Sequence, residues 1–300
     1  MKIRSVTIDP TLSHLPVSEI LKRAFSVSET LLRQLKRRPG SVLLNGEPTY
    51  VVTRVQTGDT VSFDPSDPKK LPIRPISLAL PIVYEDEWLT VLDKPANLSV
   101  HPSRDPNEPT VENALAARYP GTDNPHPVSR LDRGTSGLMA VAKSGYVHAL
   151  MKAQQHDGRF RKTYLAITNG VPESEHFFID APIGPLPGST YQRTVRSDGA
   201  PAKSECTVLE TRGGLALVKL VPHTGRTHQL RVHMAYAGTP LMGDWLYGTR
   251  DETVSRPLLH AHTLAFDHPI TGERIELVSP PPEEFLQRFP LEKILPAGQS

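Results

Sequence analysis

The sequence predicts an α+β protein, with a large, mainly antiparallel mixed sheet preceded by a small N-terminal α/β unit. Three observations carry this. Short strand-like runs recur beyond residue 80 with connections of hairpin length, which favours antiparallel pairing over helical crossovers. Two short amphipathic segments and two strand-like runs come before them. A proline-rich stretch divides the two groups.

Between Leu15 and Arg38 the apolar positions Leu15, Ile20, Leu21, Ala24 and Phe25, then Leu31, Leu32 and Leu35, have helical spacing. Ser26 to Ser28 hold the turn and the cap of the second helix, and Gly40 stops it. Ser41 to Leu44 read as a strand running into the tight turn Asn45-Gly46, and Gly58 to Phe63 as a second strand. Residues 66–80 contain Pro68, Pro72 and Pro75 and can neither sustain a helix nor pair as a central strand. The expected units are therefore 1–65, a linker 66–80, and 81–300.

Within the larger unit, strands are expected at Ile82–Tyr84, Leu89–Leu92, Leu138–Ala142, Tyr164–Thr168, Cys206–Glu210 and Leu215–Val221. Gly213-Gly214 marks a hairpin between the last two. Helices are expected from Tyr146 to Gln155 and from Arg226 to Tyr236, with Gly238 just past the second.

At 300 residues and 38% hydrophobic content the chain can bury an ordinary core. Its single cysteine, Cys206, excludes an internal disulfide and any zinc site built on several thiols. With neither a secretory leader pattern nor about 20 consecutive apolar residues, a cytoplasmic protein off the membrane is expected. A net charge of +2 does not announce a nucleic-acid partner, so local clustering must. Arg33, Lys36, Arg37 and Arg38 supply such a cluster at the end of the second helix. It is either a solvated face or a row of phosphate contacts.

Other chemistries fit poorly. His223, His228 and His233 recur every five residues, which scatters them around a helix, and His260 and His262 come without an H-E-x-x-H pattern, so no metal is expected. Ser136 lacks the glycine spacing of a nucleophile elbow. Neither a P-loop nor G-x-G-x-x-G occurs, so no nucleotide cofactor is expected.

Asp132 stands between Arg130 and Arg133 in the run Ser129 to Gly137, directly before the apolar strand Leu138–Ala142. An aspartate so flanked is ordinarily a structural ion pair. The longer run Arg130, Leu131, Asp132, Thr135, Ser136, Gly137, Leu138, however, resembles the RluA-type pseudouridine synthases, whose signature reads approximately H-R-L-D-x-x-T-S-G-L. The family histidine is replaced here by Ser129, with His126 three positions earlier. The resemblance continues in order through Ile82–Ala96, Arg161–Gly170, His223–Met234 and Gly243–Gly248. Residues 10–65 are similar to the S-four-type RNA-binding module, which would make Arg33, Lys36, Arg37 and Arg38 phosphate contacts.

The resemblance implies an isomerase of pseudouridine synthase fold that acts on RNA without a cofactor. Asp132 would be the catalytic carboxylate, Arg231 its counter-charge, Tyr164 the ring stacked on the uracil, and Arg130 the arginine that fills the place of the flipped base. The carboxylate can act as nucleophile, as stabiliser of positive charge at the sugar carbon, or as base, and the residues leave those roles open. Arg231 could instead be a phosphate or structural arginine, and Arg226 is the more natural phosphate contact of the two. A monomer acting on large-subunit ribosomal RNA is expected, with transfer RNA, or a non-catalytic RNA-binding or ribosome-assembly role, as alternatives.

Overall fold

A computed structural model describes residues 3–67, 73–102, 107–120 and 125–290. The N-terminal unit consists of β1 (Arg4–Thr7), α1 (Val17–Phe25), α2 (Glu29–Lys36), β2 (Val42–Leu44), β3 (Glu47–Pro48) and β4 (Thr60–Phe63). Its four strands pair antiparallel in the order β1-β4-β2-β3. Helix α1 stops where Ser26 turns left-handed (φ 54°), and Ser28 Oγ caps α2 by accepting the N–H of Leu31 at 3.2 Å. Both helices bury their apolar stripe, Val17, Ile20, Leu21 and Phe25 from one and Leu31, Leu32 and Leu35 from the other.

The larger unit runs β5 (Ile82–Glu85), β6 (Leu89–Lys94), α3 (Val111–Arg118), β7 (His126–Pro127), β8 (Ser136–Ala142), α4 (Gly145–His156), β9 (Arg161–Asn169), β10 (His176–Asp180), β11 (Ile183–Pro185) and β12 (Arg193–Val195). It continues through β13 (Lys203–Arg212), β14 (Leu215–Pro222), α5 (Gln229–Tyr236), β15 (Leu259–Asp267), β16 (Arg274–Val278) and α6 (Glu283–Leu286). The main sheet has the order β10-β13-β14-β9-β15-β8-β6-β5, with β16 beside β15 and β7 beside β8. Only the β15–β8 contact is parallel among its described pairs. The architecture is thus the α+β, mainly antiparallel mixed sheet that the spacing predicts.

Strand β8 shows how the sheet separates two cores. Leu138, Ala140 and Ala142 face α4, whereas Met139 and Val141 face the side of α3 and α5. At the parallel contact, Gly137 has φ 105°, and a Cβ there would lie 2.3 Å from the carbonyl oxygen of Ala261. Only glycine lets β15 come this close.

The N-terminal unit does not hang free. Its core is continuous with the α4 side of the sheet: Phe63 packs on Phe25 (5.1 Å between centroids) and edge-on to Tyr146 (5.4 Å). Tyr146 Oη donates to the carbonyl of Phe25 at 2.8 Å, and the Arg4 guanidinium lies over the rings of Phe25 and Trp88. Part of the proline-rich linker, Pro68 to Pro72, lies outside the described residues. Residues 73–80 form neither helix nor strand, and the carboxylate of Asp67 pairs with His126 and accepts the N–H of Gly145.

The helix predicted from Arg226 begins only at Gln229. Gln229 Oε1 accepts the Arg226 N–H (2.9 Å) and the Thr224 hydroxyl (2.7 Å), which holds 224–228 as a turn and sets His228 left-handed (φ 58°). Among the described residues no helix is long and apolar enough to cross a membrane.

Candidate active site

The loop leaving β7 and entering β8 carries Asp132, and two buried basic side chains grip its backbone. Lys94, fully buried at the end of β6, donates to the carbonyls of Pro95 (2.8 Å), Leu98 (2.9 Å) and Arg133 (3.3 Å). Burial pushes its pKa down to about 7 against the opposing pull of Asp132. Arg256 donates to the carbonyl of Gly134 (3.2 Å) and is itself paired with Glu284 (2.9 Å). Thr135 N–H closes the turn onto the Asp132 carbonyl at 3.0 Å. The Asp132 carboxylate, 27% exposed, is therefore fixed at the floor of a cleft of about 790 Å³.

Across the cleft, Arg231 Nη1 lies 3.6 Å from Asp132 Oδ2. The other two guanidinium nitrogens are committed elsewhere: Nε and Nη2 donate to Asp244 at 2.7 and 2.8 Å. Asp244 is wholly buried and also accepts the N–H groups of Leu246 and Tyr247. Burial opposes the Arg231 charge, but the carboxylates of Asp244 and Asp132 raise its pKa above the ordinary arginine value. Gly243 permits the turn, because a Cβ there would lie 2.2 Å from the Arg256 carbonyl oxygen. Tyr247 stacks under the Arg231 guanidinium (5.0 Å) and shares a 2.7 Å hydrogen bond with His228, whose pKa burial depresses.

Tyr164 lies on β9 and lines the same cleft. Strand alternation leaves Tyr164 free of the apolar core, but it is only 7% exposed and belongs to the cluster of Ala166, Val218 and Leu259. A tyrosine can do both, since one edge joins the core while a face borders the cavity. Burial, helped by the nearby Asp132 charge, keeps its phenol protonated far above neutral pH. Lys162 Nζ donates to the Tyr164 hydroxyl at 3.2 Å, and burial pushes that lysine down to about 7.

Arg130 and Arg226 are exposed and line the cleft, Arg226 with Nε bonded to the carbonyl of Pro201 (2.9 Å). Ser129 also lines the cleft, and its buried Oγ has no hydrogen-bond partner among the described residues. His126 does not replace the missing signature histidine in the loop, being held by Asp67. Arg33, Lys36 and Arg37 are exposed on the N-terminal unit, away from the cleft lining. Arg38 is half-buried and pins the start of the linker through the carbonyls of Asp64 (2.5 Å) and Ser66 (2.6 Å).

Two buried histidines, His260 and His233, have structural partners. His260 bridges Ser136 Oγ (3.0 Å) and the Ser279 carbonyl (3.1 Å) with its pKa pushed down to about 4 by burial, and His233 bridges Ser204 and the Ala181 carbonyl, both at 2.9 Å. Sequence reasoning missed Asp244, Tyr247, Lys94, Lys162 and His228 as site residues. Asp244 and Tyr247 sit inside the Gly243–Gly248 segment already singled out, so the segment was visible though its job was not.

The site so built sets a carboxylate against a clamped guanidinium beside an aromatic ring. Comparison with known proteins identifies its class. A family model described as RNA pseudouridylate synthase matches residues 89–236. An uncharacterized RNA pseudouridine synthase of Bacillus subtilis is 36% identical over 263 residues, spanning 86% of this chain and 93% of its own length. Ribosomal large subunit pseudouridine synthase D of Pseudomonas aeruginosa is 41% identical over 226 residues, 70% of each chain. Among solved structures, human RNA pseudouridylate synthase domain containing 1 superposes with a TM-score of 0.57 at 28% identity, covering 71% of this chain and 86% of that one. The chain therefore belongs to the RluA-type RNA pseudouridine synthases, isomerases that convert uridine to pseudouridine within RNA.

Proposed function

We propose that this enzyme isomerises uridines of large-subunit ribosomal RNA, with Asp132 as the catalytic carboxylate. The observation that carries the site assignment is the 3.6 Å approach of Arg231 Nη1 to Asp132 while Asp244 holds the rest of the guanidinium. The clamped guanidinium sets a fixed positive charge opposite the carboxylate. The reaction breaks the bond from the sugar carbon to uracil N1, turns the ring, and joins the same sugar carbon to C5. The C5 proton is lost and N1 gains one. Asp132 supplies negative charge beside the sugar and base, and the Tyr164 ring holds the detached uracil by stacking, worth about 1–3 kcal/mol per base. Extruding the uridine costs a few kcal/mol, which Arg130 offsets by entering the vacated stack.

The ribosomal target is taken from the activity named for the Pseudomonas relative, 41% identical over 226 residues. Residues 1–65 act as an S-four-type module whose exposed Arg33, Lys36 and Arg37 contact phosphates, with Arg226 doing so at the cleft mouth. Arg38, already bonded to the linker, serves chiefly to fix it. The enzyme works as a cytoplasmic monomer. Pseudouridine mapping of total RNA from wild-type, deletion and Asp132→Ala strains tests this. A site in large-subunit ribosomal RNA should vanish in both mutants; loss confined to transfer RNA overturns the target, and no loss in either mutant overturns the catalytic assignment.

A further inference from the structure

Phe178 lies on β10, the edge strand of the main sheet, and is 52% exposed. A single exposed phenylalanine is ordinary, but its surroundings are not. Lys203 Nζ stands 4.9 Å from the ring centroid, and the rings of His176 (5.3 Å) and His223 (6.0 Å) flank it. Both histidines are held by one carboxylate: Glu205 bonds His176 Nε2 at 2.9 Å and His223 Nε2 at 3.1 Å. Glu205 is the direct cross-strand neighbour of Phe178, so the whole group shares one face of the sheet.

This face is continuous with the catalytic cleft. His223 lines the cleft, and the backbone joins the two, with His223 N–H donating to the Lys203 carbonyl (3.0 Å) and Lys203 N–H to Thr224 Oγ1 (2.9 Å). An RNA strand leaving the cleft past His223 meets an ordered ring with a cation beside it. Aromatic faces stack on any base, and a neighbouring ammonium favours the attached phosphate. No other described element covers the ring enough to bury it.

We propose that Phe178, set by His176, His223 and Lys203, is a stacking platform for an unpaired base of the substrate RNA flanking the target uridine. It rests on RNA being the substrate and is independent of which RNA is modified and of the role given to Asp132. The face selects a strand that is single-stranded beside the target.

The test uses the full-length enzyme and a fluorescein-labelled, 4-thiouridine-containing oligouridine of about 12 nucleotides, a length within the usual range of single-strand sites. Phe178→Ala should weaken binding roughly 5- to 140-fold, the equivalent of one stacked base, while Phe178→Trp keeps wild-type affinity. Tritium release from [5-³H]uridine-labelled total RNA of a deletion strain should show KM raised and kcat retained in Phe178→Ala. Photocrosslinks should map to β10 or β13. Unchanged affinity in Phe178→Ala, equal loss in the alanine and tryptophan variants, crosslinks confined to other strands, or no binding of the oligouridine by the wild type each overturn the proposal. Asp132→Ala is expected to bind the oligouridine normally, so the platform and the catalytic assignment fail separately.

Discussion

Substituting Asp244 with asparagine tests the logic of the clamp most directly. Asp244 is fully buried and takes two of the three Arg231 nitrogens, at 2.7 and 2.8 Å. Removing one partner of a buried pair costs about 3–5 kcal/mol because a desolvated charge is left behind. Part is recovered here, since Asp132 already stands 3.6 Å from Nη1 and Arg231 can close onto it. At an effective dielectric constant near 20, closing that separation to about 2.8 Å adds about 1–2 kcal/mol to the attraction the wild type already has. The net loss of stability is then roughly 1–4 kcal/mol, a fall in Tm of about 2–16 °C. The recovered part has a kinetic penalty, because Asp132 must leave the tightened pair in every turnover, and 1–2 kcal/mol lowers kcat about 5- to 30-fold. Urea unfolding and tritium release read the two effects. The double variant Arg231→Met with Asp244→Leu should regain stability, as apolar replacements of buried pairs often do, yet remain inactive. Wild-type Tm and kcat in Asp244→Asn, or recovered turnover in the double variant, would refute the clamp.

Three further outcomes are expected. Gly137→Ala places a Cβ 2.3 Å from the Ala261 carbonyl at a left-handed φ of 105°, so Tm and turnover should both drop, with roughly 2–5 kcal/mol lost by denaturant titration; a variant as stable as wild type would remove close strand approach as the reason for this glycine. Lys94 has its pKa lowered from 10.5 to about 7 by burial, so above pH 7 the unfolded chain holds a proton that the folded one has shed. Stability should rise with pH between about 7 and 10, by at most about 1.4 kcal/mol per unit from this group, and Lys94→Met should flatten the slope; an identical slope in the variant contradicts the assignment. Replacing Arg33, Lys36 and Arg37 with glutamine should lower the salt slope of RNA binding by about 0.7–0.9 per lost contact, and an unchanged slope in filter-binding titrations would return the cluster to plain solvation.

How much of this was legible in the sequence depended on where each interaction is encoded. Asp132 lies in a contiguous run, and Arg231 and Tyr164 lie in segments that follow it in order, so both could be named without coordinates. Asp244 could not, because its partner is set by a turn at Gly243 that folds the chain back onto α5. Strand β15, central in the sheet, was overlooked for a related reason. His260 and His262 make it look polar, and only the folded structure supplies the Ser136 and Ser279 partners that let histidines be buried there. The strands β3, β11 and β12, of two or three residues each, are too short for alternation to register. The overlong α5 had a local cause, since the Gln229 side chain takes over the backbone donor of Arg226.

The continuous packing from Phe25 and Phe63 to Tyr146, with Arg4 laid across Trp88, has a thermodynamic consequence. Two units that share one core melt together, so unfolding should be a single cooperative event and not two separable ones. The RNA contact proposed for the N-terminal helices would then tighten the catalytic sheet as well. At a hundredfold excess of RNA over Kd the whole chain gains about 2.7 kcal/mol, whichever end holds the ligand. Conversely, excising the first 65 residues strips cover from Trp88 and Tyr146, so the isomerase itself should lose stability.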